Sequence, residues 1–160
     1  MKLKYLLFIP AILMMIQIFI FSSAEADQST VTSTSVGRVI VKMAYEISGQ
    51  NITSEDLEEK AVLMDGYVRK SAHMAEYAIL TFFFLVPLIY FNGNWKNKIT
   101  CVIIFCIFYA GTDEFHQTFV KGRSGSIRDV AIDSIGVFAA GLIFTGLKKI
   151  VKQWKQKVLT

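Results

Sequence analysis

Four long apolar runs, separated by polar connections, divide the chain. They cover residues 5–21, 72–91, 99–120 and 130–147, and the third becomes polar toward its end. A helix of about 20 mostly apolar residues is long enough to cross the hydrocarbon core of a bilayer. The pattern therefore predicts an all-α, polytopic membrane protein with four transmembrane helices.

The composition agrees with this class. Of the 160 residues, 53% are hydrophobic, and the mean hydropathy of +0.45 is high for a soluble protein of this length. We expect one membrane domain over residues 1–160. Cys101 and Cys106 have neither the spacing of a metal site nor the second pair of a disulfide framework, so we interpret them as packing residues.

The first run also has features of a signal peptide, because Lys2 and Lys4 precede it and Ala24 and Ala26 resemble a small-residue cleavage site. Secretory apolar regions are usually only about 7 to 15 residues long. Three further apolar runs also show that the rest of the chain is membranous. We therefore expect the first helix to be retained as an anchor.

The long connection, residues 22–71, carries two helical patterns. Apolar residues recur at helical spacing in its first half, at Val36, Val39, Ile40, Met43 and Ile47. A second helix is expected to start at Ser54, since Glu55 and Asp56 follow it and acids favour the positive end of the helix dipole. Leu57, Ala61 and Met64 mark its buried side. We predict a short helical extracellular cap on the outer membrane surface.

Basic residues predict the orientation. They precede the first run, join the second to the third and follow the fourth, at Lys2, Lys4, Lys96, Lys98, Lys148, Lys149, Lys152, Lys155 and Lys157. By the positive-inside rule, both termini are expected in the cytoplasm. Lys121, Arg123 and Arg128 lie in the opposite connection, against the rule. We interpret the net charge of +4 as a topology signal, not as a sign of nucleic-acid binding.

Polar residues gather at the outer ends of three predicted helices. An α-helix turns by about 100° per residue, so residues three or four apart lie on the same face. The sets are Lys70, His73, Glu76 and Tyr77 on the second helix, Asp113, His116 and Gln117 on the third with Glu114 at the side of that face, and Asp129 and Asp133 on the fourth. The fourth helix continues the stripe as Gly136 and Ala140, small residues that let another helix approach closely. We expect these polar side chains to converge in one outward-facing pocket, because charges at membrane depth usually pair or serve a function.

The chemistry of these side chains suggests two roles, acid–base catalysis and ligand binding. Histidine titrates near neutrality and carboxylates orient it, so His73, Glu76, Asp113 and His116 are candidate acid–base residues. The candidate binding residues are Lys70, Tyr77, Glu114, Gln117, Arg123, Arg128, Asp129 and Asp133. Among these, Arg123 has the planar fork that suits phosphate or carboxylate, and Lys70 and Arg128 are expected to help it hold an anion.

Two other interpretations use the same residues. Glu76, Asp113 and Asp133 could form ion pairs with Lys70, Arg123 and Arg128 that only fix helix packing. His73 with Glu76 and Asp113 with His116 also resemble ligand pairs of carboxylate-bridged metal bundles. Those sites use more glutamates, and no further ligand pair occurs in this sequence. We therefore expect no metal and no cofactor.

Three segments in this order resemble the VanZ family of small bacterial membrane proteins: "PAILMMIQIFIFSS", "RKSAHMAEY" and "DEFHQTFVKGRSGSIRDVAIDSIG". The resemblance implies a polytopic helical protein associated with lower susceptibility to teicoplanin-type glycopeptides. Eleven residues fall on the family's polar motif positions: Lys70, His73, Glu76, Tyr77, Asp113, Glu114, His116, Gln117, Arg123, Asp129 and Asp133. Lys121 stands where relatives commonly carry proline.

Residues and resemblance together predict an envelope protein of the bacterial inner membrane that lowers susceptibility to lipophilic glycopeptides. Its outward pocket is expected to bind an anionic envelope component or the drug. The partners expected are membrane lipids, a lipid-linked envelope precursor or a lipoglycopeptide. Two alternatives remain: a membrane enzyme acting on a lipid-linked or peptidoglycan substrate, and a purely structural assembly partner.

Overall fold

The computed structural model describes residues 3–158, and every regular element in that range is a helix. The six helices, in chain order, are α1 Leu3–Leu6, α2 Ile9–Ser22, α3 Ala26–Ile47, α4 Ser54–Leu88, α5 Trp95–Gln117 and α6 Ile127–Val158. The single turn of α1 leads into α2, so the two form one apolar segment.

Four segments are long and apolar enough to cross a membrane: Lys4–Ser22, Ser54–Leu88, Trp95–Gln117 and Ile127–Trp154. Their outer surfaces are apolar; Ile12, Phe108 and Leu142 are 53%, 69% and 76% exposed. Such a surface requires lipid around it. The chain is a multi-pass membrane protein, and the prediction of an all-α fold with four transmembrane helices is confirmed.

Helix α4 lies at the centre of the bundle and contacts α2, α3, α5 and α6. Ile18 of α2, Tyr77 and Leu80 of α4, and Val137 of α6 are fully buried in the shared core. The Tyr109 hydroxyl donates a hydrogen bond of 2.8 Å to the Met15 carbonyl and thereby ties α5 to α2. These contacts hold the four long segments at fixed heights relative to one another.

Helix α4 is one continuous element, although its sequence shows two separate helical signals. It begins at Ser54 as predicted, and the Thr53 side chain accepts a hydrogen bond of 3.1 Å from the Asp56 amide. It then continues through the expected start of the second span at residue 72, because Gly66 is the only glycine in its course and proline first occurs at Pro87. The cap and the membrane span are therefore joined rigidly.

Helix α3 packs against the first half of α4. A Cβ atom on Gly37 would lie 3.0 Å from the Ala61 carbonyl oxygen, so the two backbones nearly touch there. Ser33 donates a hydrogen bond to Asp65, and Arg38 donates two, of 2.5 and 2.9 Å, to Glu58. The Glu58 carboxylate raises the pKa of Arg38 through this hydrogen bond and its charge. Small and polar residues thus make this contact.

The apolar stripe of α3 takes no part in that packing. Its residues are 42% to 85% exposed: Val36, Val39, Ile40, Met43 and Ile47. On the facing part of α4, Ala61 is fully buried while Leu57 and Met64 are half-buried. The cap therefore presents apolar side chains outward, as expected of a helix at a membrane surface.

Candidate functional site

The polar residues of α4, α5 and α6 lie at one level of the bundle. Asp113 follows Lys98 by 15 residues and Asp133 precedes Lys148 by 15 residues, which is ~22 Å along either helix at 1.5 Å per residue. His73 lies the same distance from the end of α4 at Leu88. Because the hydrocarbon core is ~30 Å thick, these three residues sit toward one side of the membrane.

A cavity of about 220 Å³ opens between these helices and is called the polar cavity below. It is lined by Gly66, Arg69, Lys70, His73, Glu114, Gln117, Gly122, Arg123, Ser124, Asp129, Ile132 and Asp133. Seven of the twelve are residues that the sequence proposes for the site: Lys70, His73, Glu114, Gln117, Arg123, Asp129 and Asp133. The helix faces derived from spacing thus place these seven around one volume.

The other proposed residues lie outside this lining. Glu76 is next to His73, with its Oε2 3.5 Å from His73 Nδ1. Tyr77 and Asp113 are buried between the helices, with exposed fractions of 0% and 3%. The ring of His116 packs on Phe19 of α2, with 4.5 Å between ring centroids. None of these four residues lines the polar cavity.

Arg128 is not where the sequence interpretation needs it. Its side chain is exposed and lies outside the lining of the polar cavity. One residue turns an α-helix by about 100°, so Arg128 leaves the face that carries Asp129 and Asp133. Arg128 therefore does not line this cavity, and its role in holding an anion stays a prediction.

Two cations at the cavity already have acidic partners. Lys70 Nζ lies 2.7 Å from Asp129 Oδ1, which joins α4 to α6. Arg69 pairs with Asp65, one turn earlier on α4. The structural interpretation expected Glu76, Asp113 or Asp133 as acidic partners, and the observed partner of Lys70 is instead Asp129. This lysine still helps to set the distance between the two helices.

Glu114 holds the connection between α5 and α6 in place. Its Oε2 accepts a hydrogen bond of 2.9 Å from the Ser126 amide. A Cβ on Gly125 would lie 2.2 Å from the Glu114 carbonyl oxygen, so this glycine is needed for the close approach. Gly122, with φ +75°, supplies the left-handed turn beside Lys121. The connection therefore carries Arg123 back over the cavity.

Arg123 differs from the other two cations. Among residues 3–158, its side chain has no hydrogen-bond or ion-pair partner, and its Nε atom is buried. Burial and the positive charge of Arg69 lower the pKa of Arg123, and the negative charges of Asp113 and Glu114 offset part of this. A guanidinium nevertheless stays protonated in proteins. The cavity thus contains a charged, partly desolvated group that an anion would stabilise.

Other buried polar atoms near this level also have no hydrogen-bond partner among the described residues. They are Ser22 Oγ, His73 Nδ1, Tyr77 Oη, Asp113 Oδ1 and His116 Nδ1. Buried polar groups usually have partners, since leaving one unsatisfied costs about 1–3 kcal/mol. Their concentration at the ends of α2 and α5 and in mid-α4 marks the part of the bundle with the greatest capacity for further polar contacts.

A second cavity of about 370 Å³ adjoins the first and is called the apolar groove below. It runs between the end of α2, the start of α3 and the middle of α4. Its lining is Phe21, Ala24, Gln28, Ser29, Thr32, Ser33, Val36, Val68, Arg69, Ala72, His73, Glu76 and Arg123. Arg69, His73 and Arg123 belong to both cavities and form their shared wall.

The sequence interpretation missed Arg69, which lines the cavities, and Ser22, a buried polar residue near them. Arg69 reads as an interface anchor at a helix entrance, yet it lines both cavities. Asp65 lies four residues before Arg69 on the same helix, and this spacing could have predicted the ion pair that positions the arginine. Ser22 is fully buried at the end of α2, where the sequence shows only the end of an apolar run. Within the described chain, no group of three or more His, Cys, Asp or Glu side chains is placed to hold a metal ion.

Residues 7–150 match the VanZ/LLP1 family. The chain belongs to that family. The VanZ resemblance drawn from the three sequence segments is thereby confirmed, and the matched region contains both cavities. No curated protein and no solved structure is significantly similar to the chain. The match therefore identifies the chain as a VanZ/LLP1 membrane protein. A ligand can be inferred only from the residues of the site.

Proposed function

We propose that this VanZ/LLP1 protein lowers the susceptibility of a bacterium to lipophilic glycopeptide antibiotics by binding an anionic envelope component, or the drug itself, in the polar cavity. The observation that carries the proposal is Arg123, a half-buried cation whose Nε atom is buried and has no hydrogen-bond partner among the described residues. The implied association of the family with glycopeptide resistance agrees with it.

The cavity suits one charged group better than a whole drug. Drug-sized ligands usually occupy about 300–1,000 Å³, whereas the polar cavity has about 220 Å³. A phosphate or carboxylate would meet Arg123, while the ion pair of Lys70 with Asp129 would hold the walls in place. The rest of the ligand would extend beyond the cavity.

The orientation belongs to the same proposal. Aromatic and basic residues meet at the end of the bundle opposite the cavity: Lys148 Nζ lies 3.5 Å from the Trp95 ring centroid, and Lys98 donates to the Leu88 carbonyl at 2.9 Å. Such residues are typical of a cytoplasmic membrane boundary. With both termini inside, the cavity faces the outer leaflet, where glycopeptides act. Lys2, which also supports this orientation, lies outside the described residues.

Expression of the intact protein in a susceptible bacterium should test the proposal. We expect the minimal inhibitory concentration of a glycopeptide with a fatty acyl tail to rise, and that of a glycopeptide without a tail to change little, relative to the empty vector. The measurement needs immunoblots of the membrane fraction to show equal expression. Equal susceptibility of the expressing and vector strains would overturn the proposal.

A membrane enzyme is the second candidate, and the contact of His73 with Glu76 favours it. The histidine lines both cavities, and its Nδ1 lies 3.5 Å from the Glu76 carboxylate, so the pair could accept and return a proton beside a bound substrate.

His73→Gln separates catalysis from binding. Positioned acid–base groups contribute about 10²- to 10⁴-fold to rate, so the variant should lose any protein-dependent change in lipid or muropeptide masses while retaining ligand. Mass spectrometry of membranes with and without the protein provides the measurement. Identical profiles in both strains would exclude the enzyme.

A further inference from the structure

The two cavities differ in chemistry but share a wall. The polar cavity lies among charged residues of α4, α5 and α6, whereas the surface of the apolar groove is mostly apolar. Arg69, His73 and Arg123 separate them. A molecule that fills both must have a charged end and an apolar end, joined at that wall.

The charges on the shared wall fit a phosphate. Two guanidinium groups, Arg69 and Arg123, border both cavities, and Arg69 already pairs with Asp65. Among the acids of the polar cavity, Glu114 accepts the Ser126 amide, Asp129 pairs with Lys70, and neither they nor Asp133 line the groove. Glu76 does line the groove, and its carboxylate lies 3.5 Å from His73. A phosphate monoester carries about 1.5 to 2 negative charges and accepts the paired donors of arginine.

The height of the groove fits a lipid. Val68 and Glu76 mark its extent along α4, and they precede Leu88 by 20 and 12 residues. At 1.5 Å per residue, Val68 lies ~30 Å and Glu76 ~18 Å from the end of α4 at Leu88. Because the hydrocarbon core is ~30 Å thick, the groove reaches from its far boundary into its interior. Ala72 and Val36 of the lining are exposed at the outer surface of the helices. The groove therefore opens where headgroups meet acyl chains.

We propose that the two cavities form one binding site for a membrane lipid with a phosphate headgroup, the phosphate contacting Arg123 at the shared wall and the first part of the hydrocarbon chain lying in the apolar groove. This inference rests on the proposed function and names the class of its anionic envelope component. The lipid enters sideways from the leaflet that faces the cavity and needs no passage through the bundle.

Variants on two different helices test the groove, each with a matched control. Ala72→Phe fills the groove from α4, and Val36→Asn replaces the apolar side chain that α3 adds to an otherwise polar part of the lining. Ala75→Phe and Val39→Asn place the same side chains at exposed positions outside both cavities. The purified full-length protein is placed in phosphatidylcholine nanodiscs containing a minor fraction of phosphatidic acid, and retained lipid is counted by native mass spectrometry.

We expect the wild type and both controls to retain phosphatidic acid, and both groove variants to retain it at least about tenfold less, since the site loses contact with about two methylene groups. Diacylglycerol with the same chains should not be retained, and inorganic phosphate should displace the lipid only weakly. Because the two groove variants lie on different helices, the test remains valid if one of them fails to fold.

Retention by the groove variants equal to that of the wild type would overturn the inference, as would retention of diacylglycerol as strong as that of phosphatidic acid. Displacement of the lipid by inorganic phosphate at equal concentration would do the same, because free phosphate would then be the ligand. If any of these results accompanies drug protection by the wild type, the proposed function stands and only the lipid site falls. Absence of protection removes the proposed function itself.

Discussion

Arg123→Ala is expected to return glycopeptide susceptibility to the level of the empty vector while leaving the amount of protein in the membrane unchanged. The side chain makes no hydrogen bond or ion pair with another described residue, so its removal breaks no polar contact between the helices. Truncating one partner of a buried charge pair usually costs about 2–5 kcal/mol, which is roughly 30-fold or more in affinity. Minimal inhibitory concentrations and membrane immunoblots provide the measurement.

Two variants make this result specific. Arg128→Ala removes the same charge from the same region at an exposed position outside the cavity lining, and it should leave protection intact. Arg123→Lys keeps the charge but loses the planar fork, and it should protect only partly. Full protection by Arg123→Ala would show that the anion is held elsewhere, and loss of protection in Arg128→Ala would show that only net charge matters.

The sequence was sufficient to predict the spans and the faces that bear the site. Helix geometry is local: residues three and four apart share a face wherever the helix lies, so Lys70 and His73, or Asp129 and Asp133, could be grouped without coordinates. Charges at membrane depth also have few stable arrangements, and this restricts them to the interior of the bundle. These two constraints account for the seven proposed residues that line the polar cavity.

The remaining features depend on tertiary contacts, which local sequence patterns do not determine. Arg69 and Arg128 are both arginines beside acidic residues, yet one lines two cavities and the other is exposed. The difference is set by helix rotation within the bundle. The apolar groove likewise requires α3 to fold back along α4, and that contact depends on Gly37 and Ser33 within a polar stretch. Hydrophobic periodicity does not detect such a contact.

Gly136→Ala is expected to be the most destabilising single methyl addition in the bundle. An added Cβ would lie 2.0 Å from the Met74 carbonyl oxygen, and a backbone atom cannot move aside as the end of a side chain can. Helices α4 and α6 must therefore separate. We expect a cost of about 3 kcal/mol, at the upper end for overpacking, and a melting temperature roughly 10 °C lower for the protein purified in detergent.

The matched control is Gly146→Ala on the same helix, where an added Cβ meets no described atom within 4 Å. That variant should be unchanged or more stable by about 0.5–1 kcal/mol, because alanine favours a helix over glycine. The comparison also bears on the site, since Asp129, Asp133 and Gly136 follow one stripe of α6 and the close approach at Gly136 brings both aspartates to α4. Separating the helices should stretch the Lys70–Asp129 contact of 2.7 Å and widen the polar cavity. Equal melting temperatures for the two alanine variants would show that α6 can shift without cost, and the cavity would then not be held at a fixed width.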